Sequence, residues 1–545
     1  MNIRNILKVI CILSLYKISI EAKCSIKENE PFSIKCNGFQ NYLDLDQNSS
    51  IKKIEYENLN APILPAIKTY AKVNTFICNK CGLEILYGKD FDYLKNLLYL
   101  DLSYNSIAEL EPVFANVNSL DVLNLKGNKI KHLSRRIFAD IQKLNVLDLS
   151  ENKIRILHNA TFMLPDLSTL ILSDNAISDI DDNTFLGLES LTDLYLARNK
   201  IYDLSENCFR YNSQLNVLDL SGNKLDEVPL KTFSNLRKLQ FLYLNGNNIR
   251  SIQKRLFYTL HDLQYLDISA NKISKLSDSI FRNNMKLVSL SMGYNKINQI
   301  SSKTYQGLDN LKHLYLQHNE LVILNDSVFE QLTNLHTLNL AFNNIESISR
   351  KAFKGLENLS ILVLTGNPIS IQDVPLLPKR LIDIYIHHCS ESTIYIQEYF
   401  EIYPKLRHLY CVEEVWVERL DGLVVDISAD SGQALDSAQS DKKITSRFYA
   451  NVLTSVKVPV KRIFLLVIIA VAGLGTTLIV MALIFFCIKL SKKYEKEKTL
   501  CELDYSTYKD YKEREMMPMD IQHEFLGKYE PSFNHTVEYV KINVK

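Results

Sequence analysis

Twelve asparagines, Asn105, Asn128, Asn152, Asn175, Asn199, Asn223, Asn247, Asn271, Asn295, Asn319, Asn343 and Asn367, recur at spacings of 23, 24 and 23 residues and then 24 eight times in succession. A period of this length held over so many turns dictates a solenoid, because each unit is too small to enclose a core and must bury its apolar side against the units before and after it. Apolar residues stand five and three positions ahead of each Asn, as in Leu147-Asp148-Leu149-Ser150-Glu151-Asn152 and Leu218-Asp219-Leu220-Ser221-Gly222-Asn223. The alternation has period two, so a short strand there sends one side chain set inward and the other outward.

Written out, the unit is LxxLxLxxNxL, the leucine-rich repeat signature. The fold expected is an α/β solenoid, a horseshoe with short parallel strands on its concave face, joined to one transmembrane helix and a disordered tail. Each buried Leu is worth about 1.5 to 3 kcal/mol, so stability accumulates coil by coil. The Asn marks an inward turn, where an amide can both donate to and accept from backbone groups left unpaired. A second spine follows nine or ten residues later: Phe114, Phe138, Phe162, Phe185, Phe209, Phe233, Phe257, Phe281, Tyr305, Phe329 and Phe353. In a tight stack the Tyr305 hydroxyl needs water or a partner. Degenerate coils extend the frame at both ends: Phe76, Cys78 and Cys81, with Ile54 and Tyr56 before them, and Ile384, Ile386 and Cys389 followed by Leu409 and Cys411. Fifteen or sixteen coils are expected.

Two apolar runs set the expected topology. Residues 1–22 carry Arg4 and Lys8 around a short run of Ile, Leu and Val and end in small residues, as a secretory signal peptide does. Residues 463–488 contain no charge and exceed the roughly 20 residues that span a bilayer. The reading that follows is a single-pass type I protein of the plasma membrane. Its parts are an N-terminal cap over 23–40, the solenoid with its C-terminal cap over 41–424, a polar stalk over 425–462, the span, and a cytoplasmic tail over 489–545. The formal charge of +1 gives no bulk attraction for nucleic acid.

Open solenoid ends need caps, and a secreted compartment permits disulfides there. Cys24 with Cys36, and Cys389 with Cys411, are the expected bonds. Cys78 and Cys81 have CxxC spacing without a second such pair, which favours repeat placement or a local disulfide over zinc. Cys208 reads as a buried thiol, and His387-His388 as strand residues of a cap. No metal or cofactor is called for, and no nucleophile, base and orienting group stand together, so no enzyme is expected.

Signal peptide, 24-residue coils, caps, stalk, single span and short tail together resemble the extracellular leucine-rich repeat receptors of animals. The stretch IKKIEYENLNAPILPAIKTYAKVNTF resembles the opening of insect leucine-rich immune proteins and Toll-type ectodomains. The resemblance implies a cell-surface receptor that binds a protein or microbial ligand, in innate immunity among other settings. The alternative it implies is cell adhesion, by homophilic or matrix binding. Two departures stand out. Asn367-Pro368 runs on into further coils instead of an Asn-Pro-Trp flank with a CxC pair, and a tail of 57 residues is too small for a Toll-type signalling domain.

On the concave face, Tyr195, Phe241, Tyr243, Tyr265 and Tyr315 fall at variable strand positions of neighbouring coils, and amphipathic rings of this kind favour protein interfaces. They are the expected ligand site. The Asp residues of the LDLS stretches have an alternative reading as consensus residues without function. Sequons at Asn48, Asn159, Asn325 and Asn358 lie off the strands, where glycans would flank that face. In the tail, Val537-Glu538-Tyr539-Val540-Lys541-Ile542 fits a tyrosine-based sorting or phosphotyrosine motif through which Tyr539 would recruit an adaptor.

Overall fold

The structure, a computed structural model, describes residues 23–428 except 28–29, 38–41, 46–50, 58, 70–71, 387–399, 401, 412–414 and 421–422. The expected signal peptide over 1–22, the expected stalk beyond 428, the 463–488 segment, Tyr539, Cys389 and His387-His388 lie outside the described residues. No helix among those described is long and apolar enough to cross a membrane.

One sheet of 20 strands runs the length of the described chain. Its N-terminal edge is an antiparallel pair, Lys23–Lys27 against Glu30–Asn37, and the second of these continues in parallel with Lys53–Glu57. From there every strand pairs in parallel with the next coil's, so that Leu218 stands opposite Leu242 and Leu242 opposite Leu266. The ladder ends on His408–Cys411, which an antiparallel pair, Val415–Leu420 and Leu423–Ser428, covers. Both ends are thus closed by a change of strand direction, which occupies the hydrogen-bonding edge that a bare solenoid would expose.

The return segments are turns rather than helices. Between residues 75 and 386 the one helical element is a 3-10 turn, Ile371–Asp373, so the α/β class expected from the sequence gives way to an almost purely β coil. The reason is length. About ten residues separate each Asn from its spine ring, and they are spent placing two or three apolar side chains inward, which leaves too few to nucleate a helix.

Three buried columns hold the coils together. The strand leucines are fully buried, as at Leu194, Leu218, Leu242 and Leu266. The asparagine ladder forms as its chemistry requires. Asn128 donates from Nδ2 to the carbonyls of Leu125 in its own coil (2.9 Å) and Leu102 in the preceding one (3.0 Å), while its Oδ1 accepts the Ile107 N–H at 3.1 Å. Asn223 and Asn367 repeat this pattern on Leu220, Leu196 and Ile201 and on Leu364, Leu340 and Ile345. Beneath it lies the ring spine, with centroids 5.8 Å apart at Phe185 and Phe209 and 6.0 Å apart at Phe257 and Phe281. The spine reaches one coil further than the sequence reading placed it, through Phe91, 6.2 Å from both Phe76 and Phe114.

Tyr305 departs from expectation. It is fully buried in the spine, 5.9 Å from Phe329, and its hydroxyl has no hydrogen-bond partner among the described residues.

Candidate ligand-binding face

In each coil the central strand Leu points inward, so the residues on either side of it form two columns on the sheet face. Register places Tyr243 between Asp219 and Asp267, and Phe241 beside Tyr265. The rings of Tyr243 and Tyr265 meet at 5.1 Å, tilted by 41°. Phe241, Tyr243 and Tyr265 are therefore one cluster. Tyr195 stands beyond it with Asp219 in between, and Tyr315 on the other side with Ser289–Ser291 in between.

The five predicted rings are not equally presented. Tyr265 and Tyr315 are 3% and 5% exposed, whereas Tyr195, Phe241 and Tyr243 are half-buried. The first two support the patch and the other three form its surface. Burial, then the Asp267 carboxylate, pushes the Tyr265 hydroxyl far above its ordinary range; burial alone pushes Tyr315 to about 12. Burial and then Asp219 do the same to Tyr243. All three remain protonated, hence neutral hydrogen-bonding groups, at any physiological pH.

The aspartates of the same column are structural. Asp101, Asp219 and Asp267 each accept, through Oδ1, the backbone N–H two residues on, at 2.9 Å from Ser103, Ser221 and Ser269. Asp148 does so from Ser150 at 2.8 Å, and Asn124 and Asn339 fill the same place. A short acceptor that closes a turn on its own backbone is what the end of each strand requires.

Two aromatic groups on this molecule went unread in the sequence. On the sheet face, the columns continue past Val363 to Tyr385 and Tyr410, whose rings stack at 4.3 Å, beside a hydrogen-bond contact of His408 Nδ1 with Asp383 Oδ1 at 2.6 Å. On the ridge beside the sheet, Tyr294, His318 and Phe342 stack at 4.2 and 4.5 Å. Each immediately precedes a ladder Asn, and each has φ between 52° and 55°. The residue before every ladder Asn shares this left-handed backbone, glycine or not, from Tyr104 to Gly366. The shared φ aims successive side chains the same way, which is why the three rings lie parallel. Comparison of the residues preceding Asn295, Asn319 and Asn343 would have revealed the stack.

Cys36 is disulfide-bonded and stands opposite Cys24 in the first strand pair. Cys78 and Cys81 form a local disulfide, and Cys208 is a buried free thiol that burial holds protonated. Cys81 stands 24 residues before Asn105, at the ladder position where the Asn series stops. Cys411 lies on a terminal strand, and its expected partner lies outside the described residues. Asn159 and Asn325 are exposed. Asn358 is half-buried with its amide engaged on both sides, Nδ2 donating to Thr333 O at 2.9 Å and Oδ1 accepting from Arg380 at 2.5 Å. Asn48 is outside the described residues. Among those described, no three His, Cys, Asp or Glu side chains are grouped to hold a metal.

The leucine rich repeat pattern matches residues 82–130, 118–167, 165–225, 213–273, 261–321 and 318–369, a continuous stretch of more than half of the 545 residues. The chain belongs to the leucine-rich repeat family. No curated protein matches the sequence. The leucine-rich repeat coils are similar to those of a Leptospira interrogans LRR protein (TM-score 0.49, 23% identity, 66% of this chain and 90% of that one). They are also similar to the Drosophila Toll–Spätzle complex, at TM-score 0.46 and 18% identity over 74% of this chain and 67% of that one. A third similarity is to the octameric complex of Latrophilin 3, Unc5D and the LRR region of FLRT2, at TM-score 0.45 and 22% identity over 54% of this chain and 84% of that one.

Proposed function

We propose that this chain is a cell-surface receptor that binds a protein or microbial ligand on its sheet face, with a tail that recruits adaptors through Tyr539. The observation that carries the reading is the Phe241, Tyr243 and Tyr265 cluster: two half-buried rings of one strand, backed by a buried ring from the next, with Tyr195 beyond Asp219. Rings fixed from beneath give a partner large contact area at small entropic cost, which is how interface anchors work. The apolar runs at 1–22 and 463–488 support the placement of this face outside the cell. The likeness of residues 51–76 to the opening of insect immune proteins supports a role in defence.

Proximity labelling on cells that express the chain tests it, with full-length protein beside a Phe241→Ala, Tyr243→Ala variant and a chain cut after Lys498. A set of extracellular proteins labelled by the native chain and lost from the double variant, at unchanged thermal unfolding, supports the receptor. Retention of the same set by the variant refutes the sheet-face site. Clustering of non-adherent cells that survives the truncation moves the assignment to adhesion.

A further inference from the structure

The coil after Asn367 is shorter than those before it. Phe353 and Leu377 each stand ten residues after their Asn, so Leu377 takes the spine position, yet nine residues separate Phe353 from the next strand leucine and seven separate Leu377 from Ile384. The two residues are missing from the stretch between the spine position and the strand, beside Leu356 of the preceding coil. A groove of about 530 Å³ opens there, floored by Phe353, Leu356 and Leu377.

Its rim is basic. Arg350, Lys351 and Lys354 come from one coil and Lys379 and Arg380 from the next, against one lining carboxylate, Glu357. The coils neutralise such residues by pairing them across the repeat, Lys231 with Glu206 (3.1 Å) and Lys286 with Asp262 (2.6 Å), and on the rim itself Lys354 alone is so paired, with Glu330 (2.6 Å). The next step of that pattern sets Lys379 against Lys354, a like charge. Among the described residues Arg350, Lys351 and Lys379 form no side-chain ion pair, and Asp326 accepts only the backbone N–H of Lys351, at 3.0 Å. The Arg380 guanidinium is aimed by a neutral acceptor, Asn358 Oδ1, and so keeps its charge while its position is fixed. An overall charge of +1 conceals this concentration.

We propose that the groove is an anion site that holds a linear sulfated polysaccharide. Cations contributed by two successive coils along an open cleft suit charges repeated along a chain better than a single phosphate. The volume matches a short oligosaccharide segment. Nucleic acid is disfavoured because sequence-tolerant strand binding uses exposed stacking rings, and the one ring in the lining, Phe353, is 4% exposed. A lipid surface is disfavoured because one apolar side chain, Leu376, stands out of the rim. The site is distinct from the aromatic face and stands whether or not that face binds a ligand.

The test uses the purified full chain in detergent on immobilised heparin, with desulfated heparin, single-stranded DNA and phosphatidylserine vesicles as parallel arms. The double groove variant is compared with Lys143→Glu, which changes the net charge by the same two units far from the groove. Retention of wild type by heparin and not by desulfated heparin is expected. Arg380→Gln with Lys379→Gln lowers affinity at least tenfold and reduces the slope of log affinity against log salt by roughly one to two, while thermal unfolding stays put. Equal loss in Lys143→Glu, no loss in the groove variant, or binding to DNA or vesicles as tight as to heparin overturns the proposal. If Arg380→Gln unfolds, Lys379→Gln alone, which removes no bond within the structure, decides.

Discussion

The ring of Phe342 occupies the space in which a side chain at Gly366 would begin, and Gly366 itself has φ +71°. The exposed stack of Tyr294, His318 and Phe342 therefore ends against bare backbone. Gly366→Ala has to pay for a left-handed alanine, about 1 to 2 kcal/mol, and also displace the ring. A lower melting temperature is expected, with a changed near-ultraviolet circular dichroism spectrum. Phe342→Ala in the same chain should recover part of the loss; an additive double variant would mean that the ring and the glycine are not coupled.

Removal of the buried Tyr305 hydroxyl should stabilise the protein. The group has no protein partner, and a buried unsatisfied hydroxyl costs about 1 to 3 kcal/mol. Tyr305→Phe restores the ring found at the other spine positions and is expected to raise the melting temperature, as read by calorimetry. A decrease would show that the hydroxyl is satisfied in solution.

One rung of the asparagine ladder is worth several hydrogen bonds at once. Asn223→Ala leaves the buried Ile201 N–H without its acceptor and takes one of two amide donors from each of the Leu196 and Leu220 carbonyls, which keep Asn199 and Asn247. The expected loss is about 3 kcal/mol or more, and because neighbouring coils share the rung, hydrogen exchange should rise in both coils that flank it.

Acid should act on the sheet face in two opposing ways. Burial raises Asp267, so the folded state holds its proton at a higher pH than the unfolded chain, and this site adds stability as pH falls through the folded value. Burial, then His336 and Lys312, lowers His313 from 6.5 to about 4, so its site loses stability as pH falls between those values. Thermal unfolding of Asp267→Asn and His313→Gln relative to wild type should diverge from pH 7 to pH 4. The relative stability of the first falls and that of the second rises. Parallel curves would refute the assignment.

The legible part of this protein was whatever repeats. Asn spacing, strand leucines and spine rings all follow from a core that each coil must copy, and the structure holds them in those places. Phe91 escaped because Cys81 stands where its coil's Asn would, which hides the frame by which spine positions are counted. Burial of Tyr265 and Tyr315 was not readable, since it depends on which rings the adjacent column supplies. The groove beside Arg380 depends on a two-residue deletion, an interruption of the pattern rather than an instance of it. The α/β class expected with the repeat signature implied helices on the return segments, and these segments are too short to make them.

Pitch on the ridge before each ladder Asn is imposed by the hydrogen bonds of the sheet, not by the side chains that stand there. A substitution in one row consequently leaves the backbone of its neighbours in place, and the row's identity can drift so long as the backbone accepts a positive φ and the new side chain clears the ring of the row before it. Recognition built on such a surface is modular, like type set in a fixed-width line: a letter can be exchanged without resetting the text around it.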